Sequence, residues 1–443
     1  MISLSLLFLL LYVAIVVLIG VMTAHRETEE GFMIADRKVA GLQLAATMSA
    51  GFFDGATLSI YLAYVYQFGF SALWAFVGAA LGYIVLRHFS GRAKMLADQL
   101  RCYSMPEYFG RIIGWRSGLA FSAILIFQFF LLAIVDLVVS GKILSSIFPI
   151  PYAAAVSIGG AIILSYLLLA GFKAVVRTDF FQLIIMFVMS ISVGWYLMGE
   201  SVIVPADFSL WNMGVGDTIG FLVVGAMNIM IAPDLWQRMF ASKNERSLRT
   251  AFIYAAFFLT LLGIIISIVG LATKQHFPSI APEDAFLVGF TRLLPYGLMQ
   301  FGLVLLYAVA LSSCDTITFV VSSILTRDVQ TYIPHFSAQS MRRLTRWFML
   351  AFVLLAIASG LLIQDILTLG FSFSGICLAL FPAVIGSFYW KLKDRAVTGS
   401  IIIALSSLVA LLLFKIPLSP ETVLITLPVS LASLVVLQRA LKA

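Results

Sequence analysis

At 443 residues, 62% of them hydrophobic and only 11% charged, with a mean hydropathy of +1.06, the chain excludes a soluble globular domain. The formal net charge of +7 does not mark a nucleic-acid binder, because the basic residues are spread over alternate short loops rather than gathered in one patch. The three cysteines, Cys102, Cys314 and Cys377, have neither metal nor redox spacing, so they read as packing residues.

The remaining class is an all-α polytopic membrane protein. Hydrophobic runs of about 20 residues, each enough for a hydrocarbon core of roughly 30 Å, recur along the whole chain. Thirteen can be marked, at about 3–22, 41–66, 69–89, 118–147, 153–170, 175–198, 217–236, 250–273, 296–325, 344–363, 366–390, 396–414 and 421–438. The loops after odd-numbered spans carry most of the Lys and Arg, including Arg26, Arg37 and Lys38 after span 1, Arg238 to Arg249 after span 7, and Arg439 and Lys442 at the end. Only Lys142, Lys274, Arg292 and Lys415 fall on the other side. By the positive-inside rule this predicts an N-terminus outside and a C-terminus cytoplasmic, which requires an odd number of spans; the expected location is the cell inner (plasma) membrane.

Span 2 carries Ala46-Thr47-Met48-Ser49-Ala50-Gly51-Phe52-Phe53-Asp54-Gly55-Ala56-Thr57-Leu58. Two glycines four residues apart weaken the helix there, and Asp54 places a carboxylate at membrane depth. Such a group costs roughly 2.5–3.5 kcal/mol on insertion scales, so it persists mainly where it faces a cavity, an ion or a partner. The alternative is a buried Asp that only ties two helices together. Span 4 contains Gln128 and Asp136, and span 6 opens with Arg177-Thr178-Asp179. Span 7 carries Gly225-Ala226-Met227-Asn228-Ile229-Met230-Ile231-Ala232-Pro233, a second run with features that disfavour a continuous helix.

The two interrupted spans lie five apart, which divides spans 2–11 into two sets of five with opposite insertion. The predicted organisation is an N-terminal extra helix and linker (1–40), a first inverted repeat (41–198), a second (199–390) and two peripheral C-terminal helices (391–443). Discontinuous first helices of such repeats cross near the midplane and form the substrate site. In span 9, Ser312 and Ser313 place hydroxyls on one helical patch near the carbonyl of Val309. A hard monovalent cation suits such oxygens, and sodium would complete its shell with carbonyls freed by the break in span 2. Alternatively the two serines bond back to their own helix.

Several motifs resemble those of the sodium:solute symporter family, in the right order from about residue 5 to about 390. They are Gly31-Phe32-Met33-Ile34-Ala35-Asp36-Arg37, Met105-Pro106-Glu107-Tyr108, Gly171 to Gln182 with its Thr178-Asp179, Pro233-Asp234-Leu235-Trp236-Gln237-Arg238, and Ser312-Ser313 with Thr326-Arg327-Asp328. The resemblance implies a LeuT-type fold and uptake of a small solute coupled to the sodium gradient. Carried over residue by residue, it implies a sodium site of the backbone carbonyls of Phe52, Gly55 and Val309 and the hydroxyls of Ser312 and Ser313. Asp54, Thr57 and Asn228 would face the solute, and Asp179 would stand near the inner end of the ion's exit path or cap span 6. The chain departs from proline-type members at Gly225 and Ile229 and from sugar members at Asn228, where those place aromatic residues.

The expected function is therefore sodium-coupled import of a small polar or anionic organic solute through the lipid bilayer, by alternating access. A proton-coupled transporter of the same fold, with Asp54 or Asp179 titrating, is one alternative. A solute sensor acting through its inner loops is another. An enzyme is disfavoured, since His25, His88, His276 and His335 show no metal-ligand spacing and no nucleophile pairing.

Overall fold

The computed structural model describes residues 4–24, 28–169, 171–200, 205–332 and 337–441. Arg26, Lys442, His25 and His335 lie outside the described residues. Among the described residues the regular structure is helical, apart from one isolated bridge between Val39 and Ser242. The first half comprises α1 (Leu4–Ala24), α2 (Glu29–Ile34), α3 (Gly41–Ala50), α4 (Gly55–Phe68), α5 (Trp74–Gln99), α6 (Met105–Ile112), α7 (Trp115–Ile147), α8 (Tyr152–Leu167) and α9 (Phe172–Glu200). The second comprises α10 (Val215–Ile231), α11 (Pro233–Ala241), α12 (Glu245–His276), α13 (Ala285–Arg292), α14 (Tyr296–Tyr332), α15 (Ala338–Leu362), α16 (Ile366–Tyr389), α17 (Asp394–Leu413) and α18 (Thr426–Ala440).

All thirteen hydrophobic runs fall on helices, but fewer pass as membrane spans. Among the described residues ten helices are long and apolar enough to cross a membrane, or eleven if α10 and α11, bent by 48° at their junction, count as one. Two features lower the number. At 16 residues α8 is short for a hydrocarbon core, and Gly55–Gln99 runs as one helical stretch of 45 residues. That stretch is not straight. A 3-10 turn at Gly69–Leu73, opened by Gly69 at φ 69, reverses the chain so that the rings of Tyr61 and Phe76 meet at 4.6 Å.

Helix α14 runs through the centre, with its apolar window wholly buried, whereas those of α1 and α18 are only 28% and 22% buried. The basic loops gather on one face. Arg37 reaches Glu30 at 2.9 Å, Asp98 at 2.6 Å and the Cys102 carbonyl at 3.0 Å, and Arg327 crosses to Glu107 at 2.6 Å. Lys173 pairs with Asp36 at 3.1 Å, and the backbone amide of Lys243 donates to the Val39 carbonyl at 2.7 Å, tying the start of α3 to the end of α11. Burial works to raise the Asp36 carboxyl, but the Thr28 hydroxyl and the Lys173 ammonium outweigh it and hold it below the usual carboxylate range.

The α5–α10 pair is the closest joint in the bundle. A Cβ on Gly78 or Gly82 would strike the carbonyls of Leu222 and Ala226, and one on Gly225 would strike that of Ala75. These glycines let the two backbones touch, and they explain why no aromatic stands at Gly225. Gly82→Ala should therefore lower the melting temperature in detergent, at about 1–3 kcal/mol for an overpacked contact. An unchanged melting curve would show that the two backbones do not touch at Gly82.

Candidate solute and ion site

The local sequence sets the geometry of the break. After α3 the Gly51 amide still donates to Thr47 at 3.1 Å, but the amides of Phe52 and Phe53 both fall on the Ser49 carbonyl at 3.2 and 3.1 Å. Asp54, extended at φ −101 and ψ 174, then caps α4 by accepting from the Thr57 amide. A second carboxylate arrives from α7, where Asp136 Oδ1 accepts from the Ala56 amide at 3.1 Å. Its Oδ2 is buried with no partner. Gly55 is pressed on the other side by α14, since a Cβ there would lie 2.9 Å from that of Ala310. The break in α10–α11 falls at Ala232, where Pro233 opens the second half and the Trp236 indole donates to the Met230 carbonyl at 2.9 Å.

Both breaks border one cavity of about 120 Å³, enough for several waters or one small solute. Gly51, Phe52, Asp54 and Thr57 line it from the first break, Asn228, Ala232 and Asp234 from the second, and Ser313 from α14. The structure thus brings Phe52, Asp54, Thr57, Asn228 and Ser313 to one space. Gly55 lies behind them against Ala310, one residue beyond the buried Val309. The two serines diverge, and neither has a recorded bond back to its own helix. Ser312 Oγ donates to Gln182 Oε1 at 2.7 Å and lies 3.3 Å from Asp179 Oδ1, while Ser313 Oγ is buried with no partner.

Beneath the cavity lies Arg238, fully buried rather than in a loop as its charge alone implied. It pairs with Asp234 and with Asp179 at 3.0 Å, and donates to Thr47 Oγ1 at 2.8 Å. Asp179 also accepts from the Thr47 hydroxyl. Gly51 has no side chain because the guanidinium and the Asp234 carboxylate occupy that space, each 2.9 Å from where a Cβ would sit. Four helices, α3, α9, α11 and α14, are so joined at one point, with Thr316 Oγ1 at 3.4 Å supplying the last.

Asp136, Arg238, Gln182 and Asp315, which pairs with the Tyr166 hydroxyl at 2.6 Å, were not singled out as site residues from the sequence. The rule that marks Asp54 marks Asp136 and Asp315 equally, as carboxylates inside apolar spans. The i,i+4 pair of Arg238 with Asp234 is local, but its other partners, Asp179 and Thr47, are 59 and 191 positions away and give no local sign that it is buried.

Comparison with known proteins gives the chain's likenesses in sequence and fold. Residues 32–202 match the model of the sodium:solute symporter family. The osmoregulated proline transporter OpuE of Bacillus subtilis is 25% identical over 432 residues, covering 86% of this chain and 83% of that one. A sodium/proline symporter of Staphylococcus aureus is 24% identical over 406 residues, covering 82% and 77%. In fold, a substrate-bound, outward-open Na+-coupled sialic acid symporter superposes with a TM-score of 0.81 at 15% identity, covering 99% of this chain and 97% of that one.

The buried ion network yields a direct expectation. Arg238→Met strands two buried carboxylates and should cost about 3–5 kcal/mol, seen as a large fall in melting temperature. Arg238→Lys should recover little of it, since one ammonium cannot span Asp234, Asp179 and Thr47 together. Wild-type melting in either variant would contradict this. The apolar helices and the transporter relatives make the chain a multi-pass membrane protein and not an enzyme, and its resemblance to the sodium:solute symporter family is borne out.

Proposed function

We propose that the protein imports a small organic solute together with sodium, by alternating access at the cavity between the two helix breaks. The observation that carries this reading is the buried, partnerless hydroxyl of Ser313 in the same space as the unwound main chain at Phe52. Sodium is held there by the carbonyls of Phe52, Gly55 and Val309 and the hydroxyls of Ser312 and Ser313. Its binding gives Ser313 the partner it lacks and draws Ser312 away from Gln182. Asp54, Thr57 and Asn228 face the solute. Asp179, already bonded to Ser312 and Arg238, lies on the ion's way out toward the basic face.

In this reading the thirteen hydrophobic runs are thirteen spans. Residues 41–198 and 199–390 are the inverted repeats, each opening with a broken helix, and 1–40 and 391–443 are additions. The basic face is cytoplasmic, the N-terminus is outside, and the membrane is the plasma (inner) membrane. One sodium entering at 100 mV inside-negative gains about 2.3 kcal/mol from potential alone. Proton coupling is the second reading, favoured by the partnerless oxygens Asp136 Oδ2 and Asp315 Oδ1. Uptake driven by a pH gradient in sodium-free buffer would select it.

Sodium, with potassium as the ionic-strength control, should raise the melting temperature of the purified protein. In the Ser312→Ala plus Ser313→Ala variant the half-saturating sodium concentration should rise tenfold or more. Equal sodium dependence in variant and wild type removes the site.

A further inference from the structure

Broken helices in transporters of this architecture point two kinds of pole at the cavity: N-terminal ends that attract anions and C-terminal ends that attract cations. Here the poles are not balanced. The N-terminus of α4 is covered by Asp54, which accepts from the Thr57 amide, and by Asp136, which accepts from the Ala56 amide at 3.1 Å. The N-terminus of α11 carries Asp234 in its first turn. Both anion-attracting ends are thus taken by the protein's own carboxylates. The C-terminal ends of α3 and α10 remain, and Gly51, Phe52, Asn228 and Ala232 bring them to the cavity wall.

The side chains lean the same way. Among the described residues lining the cavity there is no Lys, Arg or His. Asp234 is matched by Arg238, which leaves Asp54 as a lining carboxylate with no basic partner among the recorded ion pairs. Asn228 turns its amide nitrogen to Ser374 at 3.3 Å and leaves a buried carbonyl oxygen with no donor. The remaining wall is apolar, part aliphatic, with Ile60, Leu132, Val224 and Ile317, and part aromatic. Phe52 and Tyr61 pack edge-on against Phe76 at 5.9 and 4.6 Å, and Phe221 and Phe371 flank Tyr64 at 4.7 and 5.9 Å. Phe221 stands one turn before Gly225 and supplies the ring that position lacks. Aromatic faces around a carboxylate recognise ammonium groups, quaternary ones above all.

We infer that the solute is an organic cation: a compact ammonium compound without a carboxylate, its charge against Asp54 and its alkyl groups against the rings of Phe52, Tyr61, Phe76 and Phe221. This rests on the transport reading for the cavity's role and deepens it by naming the solute's class. A carboxylate on the solute would find both helix N-termini occupied and no basic side chain to meet it.

The test is a binding titration followed by thermal shift, on the full chain in lipid nanodiscs with sodium present. The probes are choline, tetramethylammonium, the uncharged choline isostere 3,3-dimethyl-1-butanol, proline and lactate. Choline or tetramethylammonium should stabilise the protein at concentrations at least tenfold below those the isostere needs, with proline and lactate inactive. Asp54→Asn keeps a capping side chain and should weaken cation binding tenfold or more. Phe221→Leu, which leaves the cap untouched, should weaken the cations more than the isostere. Stabilisation by lactate or proline alone, equal binding of choline and its isostere, or no stabilisation by either cation overturns the inference. Sodium-driven uptake of a carboxylate would sink it while the transport reading stood; cation binding without any sodium-driven flux would do the reverse.

Discussion

A backbone that leaves the helix inside a membrane must find partners for its amides and carbonyls, and this one constraint shapes the centre of the protein. Between Ala50 and Gly55 the chain meets it with groups brought from far away in sequence. Asp136 on α7 takes an amide of the next helix, Tyr83 on α5 donates to the Met48 carbonyl at 2.7 Å, and α14 closes against Gly55 through Ala310. The break is therefore a joint among several helices. Whatever moves one of them changes the surroundings of the cavity.

Charge is the second consequence of the same joint. Asp54, Asp136, Asp179, Asp234 and Asp315 are all buried in the bundle, and Arg238 is the guanidinium buried among them. Buried carboxylates need cations, protons or donors at close range. The core is thus an environment that selects for positive charge. On the proposed reading, a sodium ion at the serines and an ammonium group at Asp54 would answer the same shortage at two points. The Arg238 network on the basic side of the cavity is the part that is already satisfied, and it ties α3, α9, α11 and α14 together while it holds.

Much of this was legible in the residues. Runs of apolar side chains marked where helices form. Gly51, Asp54 and Gly55 marked one break, and Gly225 to Pro233 marked the other region, because local backbone preference acts over a few residues. The turn at Gly69 was legible too, since the gap between the runs 41–66 and 69–89 falls where its positive φ reverses the chain. Long-range pairing was not legible at all. Arg238 reads as one more basic loop residue until α11 folds it under Gly51, and Asp136 has no visible partner until α7 lies beside α4, 80 positions away. That Ser312 and Ser313 diverge follows from their adjacency on a helix, but that Ser312 is the one facing Gln182 and Asp179 on α9 depends on helical phase, which spacing alone does not give.

Hydrogen exchange across residues 47–58, compared in sodium and in potassium at equal ionic strength, tests most directly whether the break in the second span carries the ion. If the unwound main chain closes around sodium, exchange in that segment slows in sodium, while the lipid-facing stretch of α17 exchanges alike in both salts. Equal exchange at 47–58 in the two salts would contradict an ion held there.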